Sequence, residues 1–126
     1  MILEDIKRVL ENNGLTNIFI GRMPPSPDNC IALFSYLGRL PELKHNYDRP
    51  SFQVQTRGID YQDAEQRANT VFSLLHALST TYINEVWVVD MHAHHSPYHL
   101  LSDDKDRFVF AQSYSAEIEH NTQNRV

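Results

Sequence analysis

The chain has 126 residues, 41% of them hydrophobic and 21% charged, which is one domain's worth of globular sequence and too little for two ordinary cores. Its formal charge is −5 and its eleven Lys and Arg residues are scattered, which argues against the clustered basic face that nucleic acids select. No apolar run approaches the ~20 residues of a membrane-spanning helix, and the single cysteine, Cys30, cannot close an internal disulfide.

The first segment, residues 2–13, sets Leu3, Ile6, Val9 and Leu10 at helical spacing. Gly14 follows as a left-handed helix-terminating residue, with Leu15 placed to pack back on Leu10. The acidic pair Glu4-Asp5 stands where a secretory signal would carry basic residues, so the expectation is synthesis in the cytoplasm without export by that route. Residues 16–21 read as a short strand. Met23-Pro24-Pro25-Ser26-Pro27-Asp28 reads as a stiff extended connector, because three prolines remove donors and fix φ. Residues 29–36 form the next predicted strand, in which Cys30 reads as a small buried hydrophobe rather than a reactive thiol.

Residues 38–50, with Pro41 and Pro50, read as a long exposed loop. In residues 51–58, Phe52, Val54 and Thr56 alternate with Gln53, Gln55 and Arg57, the pattern of a half-buried strand. Asp60 then caps a long helix with Asp63 in its first turn. Ala64, Ala68, Val71, Leu75 and Leu78 form its apolar stripe, and Gln62, Gln66, Asn69, Ser73 and His76 its polar face. Thr80-Thr81 ends it. Residues 85–92 are strongly β-forming, residues 98–101 are a shorter run, and Ser102-Asp103-Asp104-Lys105-Asp106 is a turn. In the last strand Phe108, Phe110, Gln112, Tyr114, Ala116 and Ile118 share one face. The tail from residue 120 is polar and expected to be disordered. The order predicts one α+β domain over residues 1–126, a mostly antiparallel sheet with a short N-terminal helix and one long central helix packed on one face.

The sharpest chemical candidate is the histidine-rich stretch His92-Ala93-His94-His95 with His99. On a regular strand Asp90, His92 and His94 point one way, together with Val86 and Val88. Two imidazoles and a carboxylate are ligand types for zinc or non-haem iron, but the H-E-x-x-H helical spacing is missing and no general base is identifiable. The stretch therefore reads as solvated or interface histidines, with a metal at Asp90, His92 and His94 as the alternative. Asp103-Asp104-Lys105-Asp106 lacks the other ligands of an EF-hand and reads as a solvated turn. No phosphate-cradling glycine loop and no nucleophile elbow is present. No cofactor is expected, and the catalytic inventory is empty.

Three stretches together carry a resemblance: Gly21-Arg22-Met23-Pro24-Pro25-Ser26-Pro27-Asp28, then Phe52-Gln53-Val54-Gln55-Thr56-Arg57-Gly58, then Asp60-Tyr61-Gln62-Asp63-Ala64. They resemble the minor capsid proteins of tailed bacteriophages, which are similar to the tail terminator, or tail-completion, proteins of long-tailed phages. The resemblance runs from the first helix to about Thr122.

It implies a non-enzymatic virion protein, made in the host bacterial cytoplasm, that forms a homo-oligomeric ring, six-fold by expectation. The ring would sit at the head-proximal end of the tail, joining tail to head. Its implied partners are further copies of itself, the tail tube protein and the head-completion or connector proteins, with no membrane and no sequence-specific nucleic acid. Interface positions are expected at Met23, Pro24, Pro25, Pro27 and Asp28, at Arg39, Lys44 and His45, and at His94, His95 and Tyr98. A small metal-dependent enzyme and a generic protein-binding module are the competing expectations.

Overall fold

In a computed structural model of the chain, the described residues are 2–36, 47–76, 78, 81–83 and 86–120. Two helices, α1 (Ile2–Asn12) and α2 (Tyr61–His76), accompany eight strands. The strands are β1 (Ile18–Ile20), β2 (Cys30–Tyr36), β3 (Tyr47–Asp48), β4 (Ser51–Gly58), β5 (Thr81–Ile83), β6 (Val86–Ala93), β7 (Tyr98–Ser102) and β8 (Phe108–His120). They make one sheet in the order β1-β2-β4-β8-β6-β5, with β3 and β7 also paired to β8. Only β1 and β2 are parallel, so the expected α+β architecture with a mostly antiparallel sheet holds.

β8 organises the sheet. Along one edge it pairs with β4 and then β3, and along the other with β7 and then β6. Its inward side chains Phe110, Gln112, Tyr114, Ala116 and Ile118 are all buried, as the alternation predicts. Tyr114 stacks on Phe52 of β4 at 5.2 Å, and burial pushes its phenol pKa up. Gln112 donates from its Nε2 to the Tyr114 hydroxyl, which satisfies one polar group inside the core.

The helices cover this inner face. Leu3, Ile6 and Leu10 of α1 join Val71 and Leu75 of α2, Ile31, Leu33, Phe52, Val54, Val88, Met91 and Tyr114 in one core cluster. An isolated helix of eleven residues is marginal in water, whereas each such buried side chain contributes ~1.5–3 kcal/mol. Packing, not propensity, therefore holds α1. It ends as predicted: Gly14 takes φ +91°, its N–H reaches Glu11 O at 3.1 Å, and the Leu15 N–H reaches Leu10 O at 3.1 Å, the Schellman pattern. α2 starts as predicted too, with the Asp63 N–H donating to Asp60 Oδ2 at 2.9 Å. Its stripe residues Ala64, Ala68, Val71 and Leu75 are buried.

Three features depart from the sequence reading. The expected exposed loop over residues 38–50 contains a short strand, because Tyr47 and Asp48 pair with Glu119 and Ile118; its residues 38–46 lie outside those described. A three-residue strand, β5, follows α2 and pairs with the start of β6. The register of β6 against β8 slips between Val88 and Asp90. The extra residue is a β-bulge and inverts the strand's alternation. The expected disordered tail lies outside the described residues from 121 onward.

Gly58, at the end of β4, sits where α2 crosses the sheet. A Cβ there would lie 3.0 Å from the Ala64 Cβ and 3.3 Å from Asn29 Oδ1. Gly58→Ala is expected to lower unfolding stability by about 1–3 kcal/mol through overpacking. Asp60→Ala should lower it by about 1 kcal/mol through loss of the cap. Urea denaturation checks both, as a lower midpoint with an unchanged slope.

Candidate functional site

The outer face of the sheet, opposite the helices, is closed at one end by the proline-rich connector. Two arginines on neighbouring strands hold it. Arg57 of β4 is 3% exposed and donates from Nε to Asp28 O at 3.0 Å and from Nη2 to Pro27 O at 2.7 Å. Arg107, immediately before β8, is 5% exposed and donates from Nη1 to Pro25 O at 2.7 Å and to Asp28 Oδ1 at 3.1 Å. Met23 meets Cys30, whose thiol donates to its Sδ at 3.2 Å, and Pro24 is buried. Burial raises the Cys30 pKa against the nearby arginine charges, so the thiol is a buried hydrophobe as the sequence suggests. Pro25, Ser26, Pro27 and Asp28 remain exposed.

Asp103 completes this cluster. Its Oδ2 accepts from Arg107 Nε at 2.8 Å, and its Oδ1 accepts from the Arg107 and Lys105 N–H groups at 2.9 and 3.0 Å. Burial works against the Asp103 charge, but the two backbone donors and the Arg107 guanidinium outweigh it and hold the carboxyl below the usual range. The Asp103–Asp106 segment is the turn that the sequence predicts. Asp103 is its structural anchor, half-buried rather than solvated.

His92 and His94 lie on the open part of the same outer face, whereas His99 pairs with Phe110 and its ring meets Tyr61 of α2, on the helix side. Because of the bulge, Val88 and Met91 both point into the core, whereas Asp90 and His92 point outward. The sequence reading that put Val88 on the face of Asp90 and His92 is therefore corrected. Asp90 Oδ2 lies 3.0 Å from His92 Nδ1, and His94 Nε2 lies 2.6 Å from Ser115 Oγ, which also meets Ser51 Oγ at 3.1 Å. The His92 and His94 rings are 6.0 Å apart. Among the described residues no group of three His, Cys, Asp or Glu side chains is placed to hold a metal ion.

The expected interface positions fall in three places. Met23, Pro24, Pro25, Pro27 and Asp28 share the docked connector. His94 and His95 lie between β6 and β7 and Tyr98 opens β7, with the His95 and Tyr98 rings 4.9 Å apart. Arg39, Lys44 and His45 lie outside the described residues. Sequence reasoning passed over Arg107 and read Arg57 only as an outward residue; an arginine flanking or within a strand, opposite a donor-poor proline segment, was the available signal. It also missed how open β7 is, with all five residues exposed. Hollows of about 500 Å³ along α2 and about 330 Å³ beside Gly14 contain neither histidine nor cysteine. No described helix is long and apolar enough to cross a membrane.

The model of the bacteriophage tail terminator protein family matches residues 9–120. A chain of the virion of a native gene transfer agent particle superposes with a TM-score of 0.71 at 12% identity, covering 90% of this chain and 91% of its own. A second solved chain, 14% identical and covering 90% of this chain and 94% of its own, has a TM-score of 0.45, too low to define a common fold. Comparison with curated proteins gives no match. The chain belongs to the bacteriophage tail terminator protein family, and is accordingly a structural protein of the virion tail.

The buried cluster sets two expectations. Arg107→Met removes the cation from Asp103 and Asp28 and should lower stability by about 2–3 kcal/mol in urea denaturation, less than a fully buried pair because Asp28 is half solvated. Asp103 has a lower pKa folded than unfolded, so its contribution is complete above the unfolded value near ~3.9 and is lost as pH falls through the folded one. Thermal melting from about pH 5 to about pH 2 should show a falling acid limb that Asp103→Asn flattens. A limb unchanged in the variant would remove Asp103 as its source.

Proposed function

We propose that this tail protein folds as a single domain and assembles with copies of itself into a closed ring at the head-proximal end of the tail. There it ends the tail tube and presents a surface to the head-completion proteins. The observation that carries this reading is the family match over residues 9–120. The likeness of fold to a chain of a virion particle supports it.

Such a role needs no catalysis. A heterologous contact repeated around an axis closes into a ring when its rotation divides a full turn, and the proposed closure is six-fold. The polar outer stripe of Gln53, Ser113, Ser115 and Glu117, with the net charge of −5, suits a surface that meets protein and does not grip DNA. The implied partners are the tail tube protein on one side of the ring and the head-completion or connector proteins on the other.

Light scattering of the purified chain, combined with negative-stain imaging, tests the reading. The expected result is a mass of several subunits and a ring with a central hole. Solid aggregates, or a chain that stays monomeric at every concentration and in the presence of tail tubes, would count against it.

A further inference from the structure

The bulge between Val88 and Asp90 does more than break an alternation. It turns Asp90 and His92 of β6, and His94 just beyond the strand, to the outer side of the sheet in succession. The ladder to β8 holds all three: Asp90 pairs with Glu117, His92 with Ser115, and the His94 N–H donates to Ser113 O at 2.8 Å. Along β8 they stand between the docked connector and the ring pair Tyr82–Trp87 of β5 and β6, whose rings are 4.7 Å apart. The backbone beneath the two histidines is thus fixed by the sheet, whereas their rings are exposed and free to turn.

Their ring nitrogens are sorted into donors and ligands. A carboxylate only accepts hydrogen bonds, so Asp90 Oδ2, 3.0 Å from His92 Nδ1, places that ring's hydrogen on Nδ1. The lone pair is left on Nε2. A carboxylate behind an imidazole in this way fixes the tautomer and orientation of metal-ligating histidines. In His94 the engaged nitrogen is Nε2, 2.6 Å from Ser115 Oγ. When Nε2 donates to that hydroxyl, which can pass its own hydrogen to Ser51 Oγ at 3.1 Å, the lone pair of His94 is on Nδ1.

The spacing suits one ion. The two ring centres are 6.0 Å apart, and with metal–nitrogen bonds of ~2.0–2.1 Å two imidazoles on one ion have centres about 5–6.5 Å apart. The neighbouring histidines are turned to other partners. His95 Nδ1 lies 2.9 Å from Ser96 O with its ring against Tyr98, and His99 meets Tyr61 on the helix side. Glu117, across the ladder from Asp90, has its Oε1 3.6 Å from Arg49 Nε.

We propose that His92 Nε2 and His94 Nδ1 chelate a divalent transition-metal ion of the class that favours imidazole, Zn²⁺, Ni²⁺ or Cu²⁺, with Asp90 as a positioning residue. Among the described residues no group of three His, Cys, Asp or Glu side chains surrounds an ion, so water fills the remaining positions and the site is a surface chelate, not a closed cage. Ca²⁺ and Mg²⁺, which favour oxygen, are not its occupants. The site is independent of ring formation.

Calorimetric titration of the untagged chain with zinc chloride tests the site, with calcium chloride as the contrasting salt. The expected result is one Zn²⁺ per chain and no uptake of Ca²⁺. His92→Ala and His94→Ala should each lose Zn²⁺ binding, while His95→Ala and His99→Ala keep it; circular dichroism verifies that all four fold. Asp90→Ala should weaken binding about tenfold. Long-range proton–nitrogen spectra of the imidazoles separate positioning from mere structure: the His92 hydrogen is expected on Nδ1 in the wild type and on Nε2 in Asp90→Ala. A wild-type chain that takes up no Zn²⁺ overturns the site. So does binding that survives His92→Ala or His94→Ala, or that is lost in His95→Ala or His99→Ala. An Asp90→Ala chain with unchanged affinity and an unchanged His92 tautomer removes the role of Asp90.

Discussion

A guanidinium has five N–H donors and no acceptor, and a proline has a carbonyl acceptor and no N–H. The outer face of this sheet is closed by matching those two inventories. Pro25 and Pro27 present carbonyls that no helix or ladder uses, and Arg107 and Arg57 bring donors into an environment that would otherwise leave them unsatisfied. An unpaired buried charge costs several kcal/mol, so neither the arginines nor the path of the connector can shift independently. Cys30, Ala32, Val109 and Ala111 are small, apolar and buried on this second face, and Cys30 meets Met23 of the segment directly.

The outer face changes in character along β8. Its outward residues run Val109, Ala111, Ser113, Ser115, Glu117, buried in the first two and half-buried in the rest. The outward residues change from apolar to polar after Ala111. Beyond it the bulge in β6 turns Asp90 and His92 outward beside Ser115 and Glu117. A polar stripe thus lies between the stapled end and the aromatic pair of β5 and β6. His92 and His94 are part of that stripe, bound to the Asp90 carboxylate and the Ser115 hydroxyl.

Much of this was legible in the chain, and the exceptions share a physical cause. Both helices, their caps and the inward face of β8 follow from local periodicity and from Asp60 and Gly14, signals confined to a few consecutive residues. β3 and β5, with two and three residues, are too short to show an alternation and exist only because β8 and β6 offer open edges. The bulge after Val88 leaves no mark in composition, yet it reverses which of Val88, Asp90 and Met91 share a face. Among the candidate site residues, sequence located the connector and the histidine stretch. It did not reveal that the connector is docked through Arg107, since that contact joins residues 82 positions apart. The openness of β7 as a whole was not legible either, because a short strand run does not show which neighbours the sheet leaves beside it.

The central strand has a mechanical consequence. Antiparallel ladder bonds run perpendicular to their strands, and the 13 residues of β8 are bonded to neighbours on both sides. A pull directed along β8 therefore strains many such bonds in shear at the same moment, whereas a pull across the sheet would open them one after another. A subunit built this way is stiff along one axis and weaker across it, so the direction in which a tail transmits force to the chain decides how firmly it resists.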